Sequence, residues 1–227
     1  MRDFMHGRMP MWPSSHAGIG VAIFVLSVIL AGQARARASE QCLAAAQHAA
    51  TETGVPYPVL LAISQTESGR RIGDTVQPWP WTLNIRGDGQ WLETRSAALT
   101  LAQASVARGV TLFDVGCFQI NYRWHGQHFA SLDQMLDPDA GAVYAAQFLQ
   151  KLYAQTGDWS AAAGAYHSRT PVYAARYRER FDRFYVAAQN GSPPVMAAAT
   201  RINTFPLLRS GAGQTTLGSL VPFFEGG

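Results

Sequence analysis

Apolar positions recur at helical and strand spacings that divide the chain into short elements. Residues 57–71 read Tyr-Pro-Val-Leu-Leu-Ala-Ile-Ser-Gln-Thr-Glu-Ser-Gly-Arg-Arg. Leu60, Leu61, Ile63 and Ser64 form a largely apolar face at helical spacing. Pro58 suits the first turn, where its missing N–H costs nothing. Gly69 suits a left-handed stop. Glu67 falls on the last turn, close to the Leu60/Ile63/Ser64 side. A carboxyl at the buried end of an apolar helix is costly to ionise, so its pKa is expected to rise. That is the property a proton donor needs.

The pattern continues on both sides. Residues 42–53 are Ala-rich and favour a helix, with Gly54 as its cap. Residues 81–85 are rich in strand formers, 86–89 (Arg-Gly-Asp-Gly) carry turn chemistry, and 90–93 resume a strand, which predicts a β-hairpin. Thr94 or Ser96 caps a helix that runs to about Arg108 and stops at Gly109. Residues 114–121 (Asp-Val-Gly-Cys-Phe-Gln-Ile-Asn) show no helical period. Ser131 and Gln134 fit a capping box. Asp137-Pro138 opens a longer helix through Val143, Tyr144, Ala146, Phe148 and Leu152, ending near Gly157. Asp158 caps another over 159–166. Thr170-Pro171 starts a last one to about Gln189, with Arg176, Arg178, Arg180 and Arg183 mostly on its wet side. The elements predict a mainly α (α+β) domain over residues 39–190, with one small β-hairpin.

The two ends read differently. Arg2 and Arg8 precede an apolar run over 19–30, and Ala36-Arg37-Ala38 offers a small-residue cleavage site, the layout of a signal peptide over residues 1–38. The run is short for a membrane span; an uncleaved anchor is the alternative. From residue 191 onward Gly, Pro, Ser and Ala dominate, which predicts a flexible tail. Two apolar clusters interrupt it, Ile202, Phe205, Leu207 and Leu208, then Leu217, Leu220, Val221, Phe223 and Phe224. They suit docking on a partner in an envelope-spanning assembly, such as a flagellum or secretion system, or packing back on the domain.

Charge and cysteines sharpen the picture. The chain carries 18 basic and 15 acidic groups. Four Arg and one Asp lie in residues 1–38, so the remainder holds 14 of each and is near neutral. That removes the electrostatic case for nucleic-acid binding. Cys42 and Cys117 are the only cysteines. In an exported protein an even pair reads as a disulfide; two buried free thiols are the alternative.

The order of motifs now resembles a family. A helix ending in Glu-Ser-Gly is followed by a hairpin, by Gly-x-x-Gln-Ile-Asn, and by a helix ending in Ala-Tyr. This resembles the catalytic domain of soluble lytic transglycosylases, with its goose-type lysozyme fold, over about residues 42–185. Residues 79–85, 115–121 and Trp124-His125 also resemble a periplasmic subgroup of that family. By resemblance, Glu67 falls on the catalytic acid and Ser68 on the residue that helps hold the acid or substrate. Gly116, Gln119 and Ile120 fall on the Gly-Leu-Met-Gln-Ile motif, whose Gln contacts sugar near the cleavage point. Tyr166 falls on the Tyr of an Ala-Tyr-Asn motif, packed near the acid. With Asn121, the residues Ser68, Gln119 and Tyr166 make up the expected substrate-binding set. The chain departs from the pattern at His167 and Ser168, which replace Asn and a small residue, so the resemblance carries over the acid but not the substrate contacts at that edge.

The resemblance implies a peptidoglycan-cleaving enzyme without a cofactor, acting on glycan strands in the periplasm or outside the cell. One carboxyl serves as acid and then base, and the product is a 1,6-anhydro sugar. A hydrolytic muramidase on the same fold, with Asp74 orienting water, is one alternative; a non-catalytic wall-binding assembly factor is another. Asp74, Asp88 and Asp114 otherwise read as solvated turn residues. His125, His128 and His167 lack zinc-helix spacing and a supporting Cys set, so no metal site is read; His125 suits packing or a cleft wall. Trp79, Trp81, Trp91 and Trp124 are core candidates, and hairpin aromatics beside a cleft also suit sugar stacking. N-terminal sequencing of exported protein is expected to find the mature end at or near Ala38. An intact Met1 would support the anchor instead.

Overall fold

A computed structural model describes residues 37–191. The apolar run over residues 19–30 and the apolar clusters beyond residue 191 lie outside the described residues. Helix α1 covers residues 37–53, five residues earlier than the Ala-rich run alone predicts. The reason is packing: Ala38, Cys42, Ala45, Ala46 and Ala49 form one buried stripe at helical spacing. The expected cleavage point at Ala38 therefore falls in the first described turn of α1. Helix α2 (Tyr57–Ser68) follows, with proline in its first turn.

Gly69 corrects one expectation. Its φ is −54°, not left-handed. A Cβ there would overlap the Gln65 carbonyl oxygen and lie 2.7 Å from Val76 Cγ1. Glycine is needed for space, because the chain turns directly onto the strand that carries Val76.

The strand region is larger than one hairpin. Strands β1 (Arg70–Ile72) and β2 (Thr75–Gln77) form an antiparallel hairpin turning at Gly73, whose φ is 58°. Strands β3 (Thr82–Ile85) and β4 (Asp88–Trp91) form the predicted hairpin. Its turn is tighter than expected. Arg86 and Gly87 both take positive φ, 54° and 92°, so two residues suffice and Asp88 and Gly89 join the strand.

Helix α3 (Arg95–Ala107) comes next, its N-terminus capped by the Thr94 hydroxyl, which accepts the Ala97 N–H at 3.2 Å. The stretch without helical period then becomes β5 (Phe113–Val115) and β6 (Ile120–Asn121). Together they extend the hairpin into a four-stranded antiparallel sheet, ordered β4-β3-β5-β6. Residues Asn84, Asp114 and Asn121 lie opposite one another across three strands.

Helices close the rest. After α4 (Tyr122–His125) and a 3-10 turn (Gly126–His128), α5 (Leu132–Met135) is capped by Ser131, which accepts the Gln134 N–H. The Gln134 side chain returns to the Ala130 N–H, one residue before a reciprocal capping box would place it. Helices α6 (Pro138–Thr156) and α7 (Trp159–His167) start at Asp137 and Asp158, whose carboxylates accept from Ala140 and Ala161. Helix α8 (Pro171–Gln189) packs against α7 and α2 through Tyr177, Phe181 and Phe184, while Arg176, Arg178 and Arg183 are exposed. No helix among the described residues is long and apolar enough to cross a membrane.

One core joins α1, α2, the sheet and α6 to α8. Cys42 and Cys117 are bonded, with Cα atoms 5.7 Å apart, tying α1 to the β5–β6 turn across 75 residues. A loop of that length constrains the unfolded chain by roughly 4–5 kcal/mol. Replacing both cysteines by serine is expected to lower urea-unfolding stability by about 2–5 kcal/mol. An unchanged midpoint would show that the remaining contacts hold this turn without the bond.

Candidate active site

The site is built around a turn of four residues. Gly116, Cys117, Phe118 and Gln119 connect β5 to β6, and Gly116 and Gln119 take positive φ of 77° and 46°. Each residue is fastened by a different part of the fold. The Gly116 N–H donates to the Thr82 carbonyl at 2.8 Å. Cys117 is bonded to α1. The Tyr166 hydroxyl, on α7, donates to the Phe118 carbonyl at 2.8 Å. The Gln119 amide donates to the Thr82 and Gly116 carbonyls at 3.2 and 3.0 Å.

Ser68 ties this turn to the end of α2. Its Oγ lies 2.8 Å from the Cys117 carbonyl and 3.0 Å from the Ser64 carbonyl, which share its one proton. The same oxygen accepts the Trp79 N–H at 3.2 Å. The Ser68 carbonyl in turn accepts from the Trp91 indole at 3.0 Å.

The four residues expected to bind substrate, Ser68, Gln119, Asn121 and Tyr166, are all buried. The Ser68 and Tyr166 hydroxyls and the Gln119 amide N–H groups donate to backbone carbonyls, and Asn121 donates its amide to Asp114 Oδ1 at 2.8 Å. A positive φ at a non-glycine residue is costly, and the two bonds from the Gln119 side chain hold that backbone. Two of the tryptophans are core residues, as read from the sequence. Trp79 and Trp81 are buried, and the Trp79 indole donates to the Leu92 carbonyl, so neither ring offers a face to sugar. Arg70 covers Trp79 from outside, its guanidinium carbon 4.6 Å from the ring centroid.

Glu67 precedes Ser68 and is half-buried. The Tyr177 hydroxyl, from α8, donates to its Oε1 at 2.8 Å. Tyr177 is buried, and its own pKa is pushed well above the ordinary tyrosine value, first by burial and then by the Glu67 charge. The phenol stays protonated and remains a donor. Tyr166 is raised in the same way, again with Glu67 as the largest charged contributor. Two buried phenols thus approach Glu67, one bonded to it and one bonded to the turn beside it.

Tyr177 is the residue that sequence reading missed. A signal exists: Tyr177, Phe181 and Phe184 form the apolar stripe of an Arg-rich helix. A buried tyrosine hydroxyl requires a partner. The partner lies 110 residues away, which no local pattern reveals.

The remaining carboxylates and histidines sort by burial. Asp74 and Asp88 are exposed on the hairpins, whereas Asp114 is buried in β5 rather than solvated as expected. His125 is buried, its Nδ1 2.6 Å from the Tyr144 hydroxyl, a packing role. His128 is exposed. His167 is buried and stacked on Tyr177, ring centroids 4.6 Å apart and planes 11° from parallel. Comparison of the chain with family profiles, curated proteins and solved structures gives no match.

Burial, helped by Arg180, holds the His167 imidazole down to about 4. The folded protein therefore takes up this proton less readily than the unfolded chain. The neutral ring contributes stability in full above the unfolded value near 6.5, and that contribution is lost as pH falls toward 4. The stability difference between wild type and His167→Phe is expected to shift by about 3 kcal/mol against wild type between pH 7 and pH 4. Urea unfolding at a series of pH values checks this; a pH-independent difference would refute it.

Proposed function

We propose that this chain is an exported peptidoglycan lytic transglycosylase of lysozyme-like fold. It cleaves the β-1,4 bond between N-acetylmuramic acid and N-acetylglucosamine and leaves a 1,6-anhydro end. The observation that carries this reading is Glu67: a half-buried carboxyl at the end of a buried helix, bonded by a buried tyrosine hydroxyl. The Cys42–Cys117 bond supports an oxidising compartment outside the cytoplasm.

The chemistry needs one group. Protonated Glu67 gives its proton to the glycosidic oxygen as the bond to the anomeric carbon breaks, and N-acetylglucosamine leaves with its hydroxyl restored. Positive charge grows on the N-acetylmuramic acid ring. Ionised Glu67 then takes the proton of that sugar's own C6 hydroxyl, whose oxygen closes on the anomeric carbon. No water is consumed, and Glu67 ends as it began. Acid followed by base at one group is consistent with general acid–base catalysis.

The placement of the other carboxylates favours this route over hydrolysis. Hydrolytic glycosidases usually pair two carboxylates across the bond. Asp74 stands in solvent at the β1–β2 turn and Asp88 in solvent at the start of β4, and Asp114 is buried with Asn121. Glu67→Gln keeps the shape and removes the transferable proton. It is expected to fold normally and to lose about 10²–10⁴-fold in muropeptide release from purified peptidoglycan. Mass spectrometry of the wild-type digest is expected to show anhydro ends. Comparable turnover by the variant, or reducing ends from the wild type, would sink the single-acid reading.

A further inference from the structure

The resemblance places His167 where the related motif has Asn, and here the side chain is buried. Its ring lies nearly parallel on Tyr177 at 4.6 Å. Tyr177 is the donor to Glu67. A ring stacked nearly parallel on a phenol restrains the phenol's plane, and because the hydroxyl hydrogen prefers that plane, the stack limits the direction in which it is donated. The Nδ1 of His167 is buried with no hydrogen-bond partner. An unsatisfied buried nitrogen is costly, so hydrogen bonding through Nδ1 does not explain the position, and what the side chain offers is a flat face against Tyr177.

We propose that His167 is a positioning residue: it seats the Tyr177 ring so that its hydroxyl meets Glu67, in place of contacting substrate. The groups around it agree. Helix α8 supplies Tyr177 and Arg180, α2 supplies Glu67 through Tyr177, and α7 supplies Tyr166, one residue before His167. Arg180 disfavours a charged imidazole, and burial does so more strongly. The ring therefore stays neutral at ordinary pH.

This inference rests on the proposed function for its kinetic readout, and a second readout is independent of it. His167→Phe keeps a flat ring and removes the nitrogens; His167→Asn restores the motif residue and removes the plate. Tyr177→Phe and the double variant His167→Asn/Tyr177→Phe complete a cycle. In peptidoglycan cleavage, His167→Phe is expected to stay within about threefold of wild-type kcat, and His167→Asn to lose about tenfold or more with KM nearly unchanged. The double variant is expected to lose no more than Tyr177→Phe alone. In carbon-13 NMR of labelled glutamate, the Glu67 titration is expected to move upward in His167→Asn, as a donor to the ionised form is lost, and to stay in place in His167→Phe.

The proposal is overturned if His167→Asn raises KM at constant kcat, which marks a substrate contact, or if the losses multiply in the double variant. A folded His167→Phe that loses as much as Tyr177→Phe would overturn it too, and this arm decides the matter if the Asn variant does not fold. If wild type cleaves no glycan, the functional reading fails. The Glu67 titration still decides the role of His167, because it is read without substrate.

Discussion

The β5–β6 turn is the constraint on which the rest of the structure depends. Its four residues include two with positive φ, and backbone of that kind persists only where surroundings fix it. Here α1 fixes it covalently, α2 through Ser68, α7 through Tyr166, and β3 through Thr82. Four elements, spread from α1 to α7, are thereby brought to one place. Because Ser68 is the last residue of α2, the same bond that anchors the turn also sets where Glu67 emerges. A shift of the turn would move the acid with it.

Much of this was legible in the sequence. Helix boundaries followed from capping: Thr94, Ser131, Asp137 and Asp158 each accept the expected N–H, since side-chain caps act within three residues. The disulfide was legible from cysteine number. The half-buried place of Glu67 on the last turn of an apolar helix was legible too. Strands β5 and β6 were not, because a strand of two or three residues has too little alternation to show and is defined by partners such as Leu83 and Asn84. The first hairpin was hidden for the same reason.

The motif residues teach a different lesson. Ser68, Gln119 and Tyr166 were read from their motifs as substrate contacts, and the Ser68 and Tyr166 hydroxyls and the Gln119 amide N–H groups donate to backbone carbonyls. Motif spacing here picks out residues that tie the scaffold together. A buried hydroxyl or amide with one fixed partner is as demanding of its residue type as a ligand contact, since leaving that partner unpaired costs about 1–3 kcal/mol. Sequence pattern cannot separate the two roles; burial does.

A rigid surround also suits what the proposed reaction asks of Glu67. A single group that gives a proton and then takes one must be tolerable in both forms. Partial burial disfavours the carboxylate, and the Tyr177 hydroxyl favours it. Neither influence works unless the geometry is held, because a hydrogen bond weakens steeply once donor and acceptor turn away from each other. The anchors of the turn hold α2 on one side of the acid. The apolar stripe of α8, with His167 against Tyr177, holds the donor on the other. The two sides meet at the 2.8 Å bond between Tyr177 and Glu67, where residues 110 positions apart act on one proton.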